Sequence, residues 1–165
     1  MKIIRFIIYI LLSMLIEIEG ATYMPTTPAN KFYLTESQKH DLESKSFDGD
    51  STAAVRLAQY YNLYLTSEID SMYGDVWTYI SGLLGNEIAK ENLGKILKQK
   101  KITGIREMFL QFSHEIGKLK NSNTIISNFI LYNYYVFKGD DTITDIYLKY
   151  LKNAKVDPRL YTNVK

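Results

Sequence analysis

Apolar side chains recur at intervals of three and four residues along most of the stretch from Thr35 to Asp157, which contains no proline. That spacing lays an apolar stripe along a helix and predicts a succession of α-helices. Thr35 and Gln38 form a capping box, so a first helix starts there, buries Leu42 and ends near Phe47, before Gly49-Asp50 breaks the chain. A later helix, about Glu68 to Leu84, carries Trp77 and Ile80 beside the small pair Ser81-Gly82. Gly74 lies inside it and predicts a break between Met72 and Asp75, because glycine costs about 1 kcal/mol in a helix interior. Ile102, Ile105, Phe109, Phe112, Ile116 and Leu119 follow at three, four, three, four and three, which predicts one long amphipathic helix. Thr142 to Ala154 repeats that spacing with Ile146, Tyr147, Tyr150 and Leu151, and Asp157-Pro158 stops it.

Self-comparison adds a longer period. Gly49-Asp50, Ala53, Leu57-Ala58 and Tyr61 fall on Gly85-Asn86, Ala89, Leu93-Gly94 and Leu97 with a constant offset of 36 residues. Each copy reads as a glycine stop, a polar N-cap, then small and large apolar residues on one face. The small residue beside each leucine predicts close approach of a neighbouring helix. Another step of 36 puts Asn121 on Gly85, Ile125 on Ala89, Phe129 on Leu93 and Ile130 on Gly94, so a third copy is degenerate. Together with Trp77 and Ser81-Gly82, this pattern resembles the Sel-like repeat, a relative of the tetratricopeptide repeat. The resemblance covers about residues 48–97 well and the remainder weakly. It implies an all-α fold: a short α-solenoid of about three helix-turn-helix repeats behind a leading helix. The leading helix is 35–47 and the repeats are 49–84, 85–120 and, degenerate, 121–157.

In tetratricopeptide-like units the first helix of each pair lines the concave side. The resemblance therefore implies partner-binding positions at Gln59 and Asn62, at Glu91, Lys95 and Lys98, and at Leu131, Tyr134 and Tyr135. The last set lies in Leu131–Phe137, which is apolar or aromatic nearly all round. Such a helix is either buried on both sides or shows a partner face.

The amino terminus changes the compartment. Lys2 and Arg5 precede an apolar run from Phe6 to Ile16, too short to span a bilayer and suited to a signal peptide over residues 1–20. Gly20 and Ala21 are the small residues at its end, and a retained amphipathic anchor is the competing reading. Residues 21–34, with Pro25 and Pro28, read as an extended lead-in. Export to a bacterial periplasm follows, without stable membrane insertion once the signal is cleaved.

Composition then removes most chemistry. The chain of 165 residues has 20 Lys plus Arg against 18 Asp plus Glu, far from the basic excess of a protein that tracks nucleic-acid phosphates. Cysteine is absent, which excludes disulfides, thiolate metal sites and cysteine nucleophiles. His40 and His114 are the two histidines, each in a polar surrounding that reads as a solvated helix face. Asp48-Gly49-Asp50 and Gly139-Asp140-Asp141 read as a turn plus N-cap and lack the further oxygens of a calcium loop. Lys98-Gln99-Lys100-Lys101 reads as a helix end with cations matching the dipole. No nucleophile elbow, phosphate loop or zinc-protease motif occurs, so neither catalytic group, metal nor cofactor is expected. Tyrosine, 14 times present, suits half-buried positions and binding surfaces alike.

A short exported array of this kind is similar to the periplasmic immunity proteins that accompany antibacterial effectors of type VI secretion, phospholipases among them. The resemblance implies a protein partner, a cognate secreted toxin occluded by a rigid surface, with Tyr134 and Tyr135 as anchors and Lys95 and Lys98 at the rim. An envelope adaptor for another protein is the alternative, and a cell-wall or small-molecule hydrolase a third reading.

Overall fold

The structure is a computed structural model that describes residues 28–161. The expected signal peptide and residues 21–27 of the lead-in lie outside the described residues. The chain divides into two compact units, residues 1–31 and 32–165, and the first contributes only residues 28–31 to the description. Pro28–Phe32 is a 3-10 turn and not the extended segment expected, since a leading proline holds φ in the helical range.

The second unit is all-helical, with no strand among the described residues. Its helices are α1 (Glu36–Phe47), α2 (Ser51–Gln59), α3 (Glu68–Leu83), α4 (Glu87–Gln99), α5 (Ile105–Gln111), α6 (Ile116–Leu119), α7 (Ile125–Lys138) and α8 (Asp141–Asn153). A π-helical turn, Tyr60–Tyr64, extends α2, and a 3-10 turn, Pro158–Tyr161, closes the description.

Local chemistry sets the punctuation. The Thr35 hydroxyl accepts from Gln38 N–H while the Gln38 side chain accepts from Thr35 N–H, the expected capping box. Gly49, Gly85 and Gly139 take left-handed φ values of 107°, 94° and 78°, which side chains disfavour. The next residue caps the following helix in each case: Asp50, Asn86 and Asp140 accept from backbone N–H groups of Ala53, Ala89 and Ile143. Both acidic clusters are therefore turns with N-caps, as their sequence indicates.

α2 packs on α1 and α3, and α3 packs on α4; α5 and α8 both pack on α7. Trp77, Ile80, Leu57, Phe109 and Phe129 are fully buried in the common core. The Phe47 ring meets Trp77 at 5.4 Å, Phe129 at 5.9 Å and Tyr161 at 5.7 Å. Tyr161 donates its hydroxyl to the Phe47 carbonyl at 2.6 Å, and its own carbonyl accepts from the Tyr79 hydroxyl at 2.7 Å. The last described turn is thus clasped between the end of α1 and the middle of α3.

Three expectations are corrected. α3 runs unbroken through Gly74, because the Asn62 carboxamide lies where a Cβ would stand and that contact offsets the poor helix propensity. The 102–119 stripe is buried or half-buried, but its helix is not continuous. Ile102 to Gly104 precede α5, where the Glu107 carboxylate accepts from Thr103 N–H at 2.5 Å and Thr103 hydroxyl at 2.8 Å. A 3-10 turn at Phe112–His114 then separates α5 from α6. The second copy of the small-residue pattern is also looser than the first. Ala53, Leu57 and Ala58 are buried, whereas Leu93 and Leu97 are half-buried and Gly94 is exposed with open space beside it. Ser81-Gly82 does serve close approach: Ser81 donates to the Ser51 carbonyl at 2.9 Å, and Lys90 stands 3.2 Å from where a Gly82 Cβ would be.

Candidate functional site

α2 and α4 both rest on α3, and a groove of about 820 Å³ opens between them. Ser71, Asp75 and Thr78 face it from α3 at spacings of four and three, so a single face of that helix makes the floor. Val55, Ala58, Gln59, Asn62 and Leu63 form the wall from α2 and its π turn, and Ile88, Asn92, Lys95, Ile96 and Gln99 the wall from α4. Leu63 is 52% and Ile88 71% exposed, a high value for large apolar side chains. The walls also carry carboxamides, which both donate and accept.

The floor holds an ion pair whose acid is buried and whose lysine reaches it from the surface. The Asp75 carboxylate, 4% exposed, is bonded by the Lys100 ammonium from the C-cap of α4. Burial pushes the Asp75 carboxyl above the usual range, and Lys100 pulls it back. Thr78 donates to the Gly74 carbonyl at 2.8 Å. The lysine run is thus a helix end as expected, but one of its members reaches inward. The signal in the sequence is Asp75 itself, the one charged residue between Asp70 and Glu87.

Of the positions implied by the resemblance, Gln59, Asn62 and Lys95 line the groove. Glu91 and Lys98 are exposed beside it, and Glu91 pairs with Lys95 at 2.7 Å. Leu131, Tyr134 and Tyr135 do not form a docking face: they are 0%, 8% and 4% exposed. α5, α6 and α8 all pack against α7 and leave it almost no free face. Lys120 and Lys138 lie 5.5 Å and 5.8 Å from the ring centres of Tyr135 and Tyr134, which further covers them.

A group of side chains went unnoticed in the sequence because it joins distant segments. His114 is exposed, as expected, yet its Nε2 stands 3.2 Å from Glu115 Oε1 and 3.5 Å from Glu68 Oε2. His40 is exposed on α1 near Glu43.

Glu43 is half-buried on α1, facing His40, Lys39 and Glu36 of its own helix and Tyr61 and Tyr73 across from it. Burial pushes its carboxyl up to about 7, against the pull of His40 and Lys39. The folded form holds this proton where the unfolded chain has lost it, so stability falls as pH rises from about 4.5 and levels off above about 7. Glu43→Gln is expected to flatten that slope. It should raise stability by roughly 1–2 kcal/mol at pH 8 and by little near pH 4.5, allowing for residual solvation of the group. Urea titrations at the two pH values check this, and an equal gain at both would contradict it.

No helix among the described residues is long and apolar enough to cross a membrane. No family model matches the chain, and neither a curated protein nor a solved structure shows significant similarity to it.

Proposed function

We propose that this chain is a short Sel-like repeat protein that acts by binding, a periplasmic immunity protein that occludes a cognate antibacterial effector. The solenoid reading rests on the two tight turns at Gly49-Asp50 and Gly85-Asn86, each opening a helix packed on α3. The export reading rests on Lys2, Arg5 and the apolar run Phe6 to Ile16.

The observation that carries the binding reading is the groove between α2 and α4. It combines exposed apolar side chains with carboxamides on a floor whose one charge is already matched. Apolar contact supplies affinity, and unpaired amides penalise a partner that lacks hydrogen-bonding groups. A preformed groove loses little entropy on docking, as tight neutralisation requires. The effector would seat a protruding segment here and have its own site covered, with Lys95 at the rim.

Co-expression with the toxin encoded beside it, followed by affinity measurement, tests the proposal. The wild-type chain should protect cells and form a stable complex. Ile88→Asp should weaken that complex by about a hundredfold, or roughly 2.7 kcal/mol. Ile88 is exposed, so the folding transition should stay in place. A chain that neither protects nor binds removes the immunity reading, and a stable complex with an envelope protein instead of a toxin replaces it with the adaptor reading.

A further inference from the structure

We propose a divalent-cation site, zinc foremost, at His114, Glu68 and Glu115, independent of the partner reading above. Glu68 lies in the first turn of α3, and His114 and Glu115 in the break between α5 and α6. The three offer ligand atoms within 4.8 Å of one another.

Two features single this group out from ordinary surface charges. His114 Nδ1 faces the Gln111 carbonyl at 3.3 Å, so a proton on Nδ1 has an acceptor there and Nε2 is the nitrogen turned to the carboxylates. With the proton on Nδ1, Nε2 is an acceptor 3.2 Å and 3.5 Å from two carboxylate oxygens, so three acceptors converge and a bound cation satisfies them as a second ring proton otherwise would. A positive centre resolves this arrangement. The distances suit a metal: donors bonded at about 2.0–2.1 Å in a tetrahedron lie about 3.3–3.4 Å apart. The Glu68–Glu115 edge is the one that has to close.

The burial pattern agrees. The Glu115 side chain is 5% exposed, and its carboxylate borders a small cavity of about 160 Å³ with Glu68 and His114. Lys118 Nζ lies 2.7 Å from Glu115 Oε2 as an ion pair, yet that buried oxygen has no hydrogen-bond partner, and Oε1 is the oxygen facing His114. One imidazole nitrogen and two carboxylates form a set for zinc or manganese, with the fourth position open to water. Bound there, the ion ties the start of α3 to the α5–α6 break. Ser71 and Lys100 border both this cavity and the groove, so the site adjoins the groove floor.

Titration of the intact protein with zinc chloride, read by calorimetry and by the His114 ring signals in NMR, tests the site. One equivalent should bind, shift the His114 ring while leaving His40 in place, and raise the melting temperature. Glu68→Gln and His114→Gln, both exposed and expected to keep the fold, should each weaken binding at least about tenfold. Manganese should broaden the same ring signals. A wild-type chain without saturable binding, or one whose binding neither variant changes, overturns the proposal and leaves a protonated imidazole between two carboxylates.

Discussion

Replacing Trp77 with alanine should destabilise the protein by about 3–5 kcal/mol, the cost of removing a fully buried large side chain. Trp77 is wholly inside, its ring tilted at 55° against Phe47, and embedded in the core shared by α1, α2, α3, α5 and α7. Its indole N–H is buried without a hydrogen-bond partner, so the ring contributes through volume and contact and not through polar bonding. Trp77→Phe should therefore cost far less than alanine, because it keeps most of the apolar bulk and removes the unsatisfied donor. A typical domain has 5–15 kcal/mol in hand, so the alanine variant should be near the limit of folding. Trp77 is the single tryptophan. Urea unfolding of these variants has to be followed by circular dichroism. A loss below about 1 kcal/mol for alanine would mean that the core is not packed around this ring.

Lys100→Met should be the most damaging change near the groove, about 2–4 kcal/mol at pH 8, because it strands a buried carboxylate. Lys100 is the cation that faces Asp75, and without it burial acts on that carboxyl unopposed. The sign follows from linkage. A carboxyl whose folded pKa lies above its unfolded value costs nothing while both states are protonated, and costs more as pH rises towards the folded value. The defect should thus shrink markedly on going from pH 8 to pH 5. Asp75→Asn in the Lys100→Met background should recover most of the loss, which a double-mutant cycle measures as coupling. A pH-independent loss would assign the effect to packing of the lysine stem instead.

Both residues show what was legible. Trp77 declared itself by composition and context: a lone indole one turn from Ser81-Gly82 has few places to go but the interior of a helix pair. Asp75 and Lys100 are 25 residues apart and carry no mutual signal. Asp75 looked like part of a helix break with Gly74, whereas the glycine is there to admit Asn62 from the π turn. His114 and Glu115 were adjacent in sequence, but Glu68, the third member of their group, came from another helix. The tyrosines of α7 misled for a related reason. Their ring-rich pattern fits both a core helix and a binding face, and only the neighbours α5, α6 and α8 decide between them.

By itself the sequence determined the helical class, the positions of the tight turns and most of the buried stripes. These depend on local rules: apolar periodicity, capping side chains and glycine's access to left-handed φ. Tertiary structure alone decided which helix faces meet, and so that Gly94 faces open space, that Tyr134 and Tyr135 are interior, and that α2 and α4 stand apart over α3. Such outcomes turn on contacts between residues far apart in the chain, whose free energies outweigh a local preference of about 1 kcal/mol.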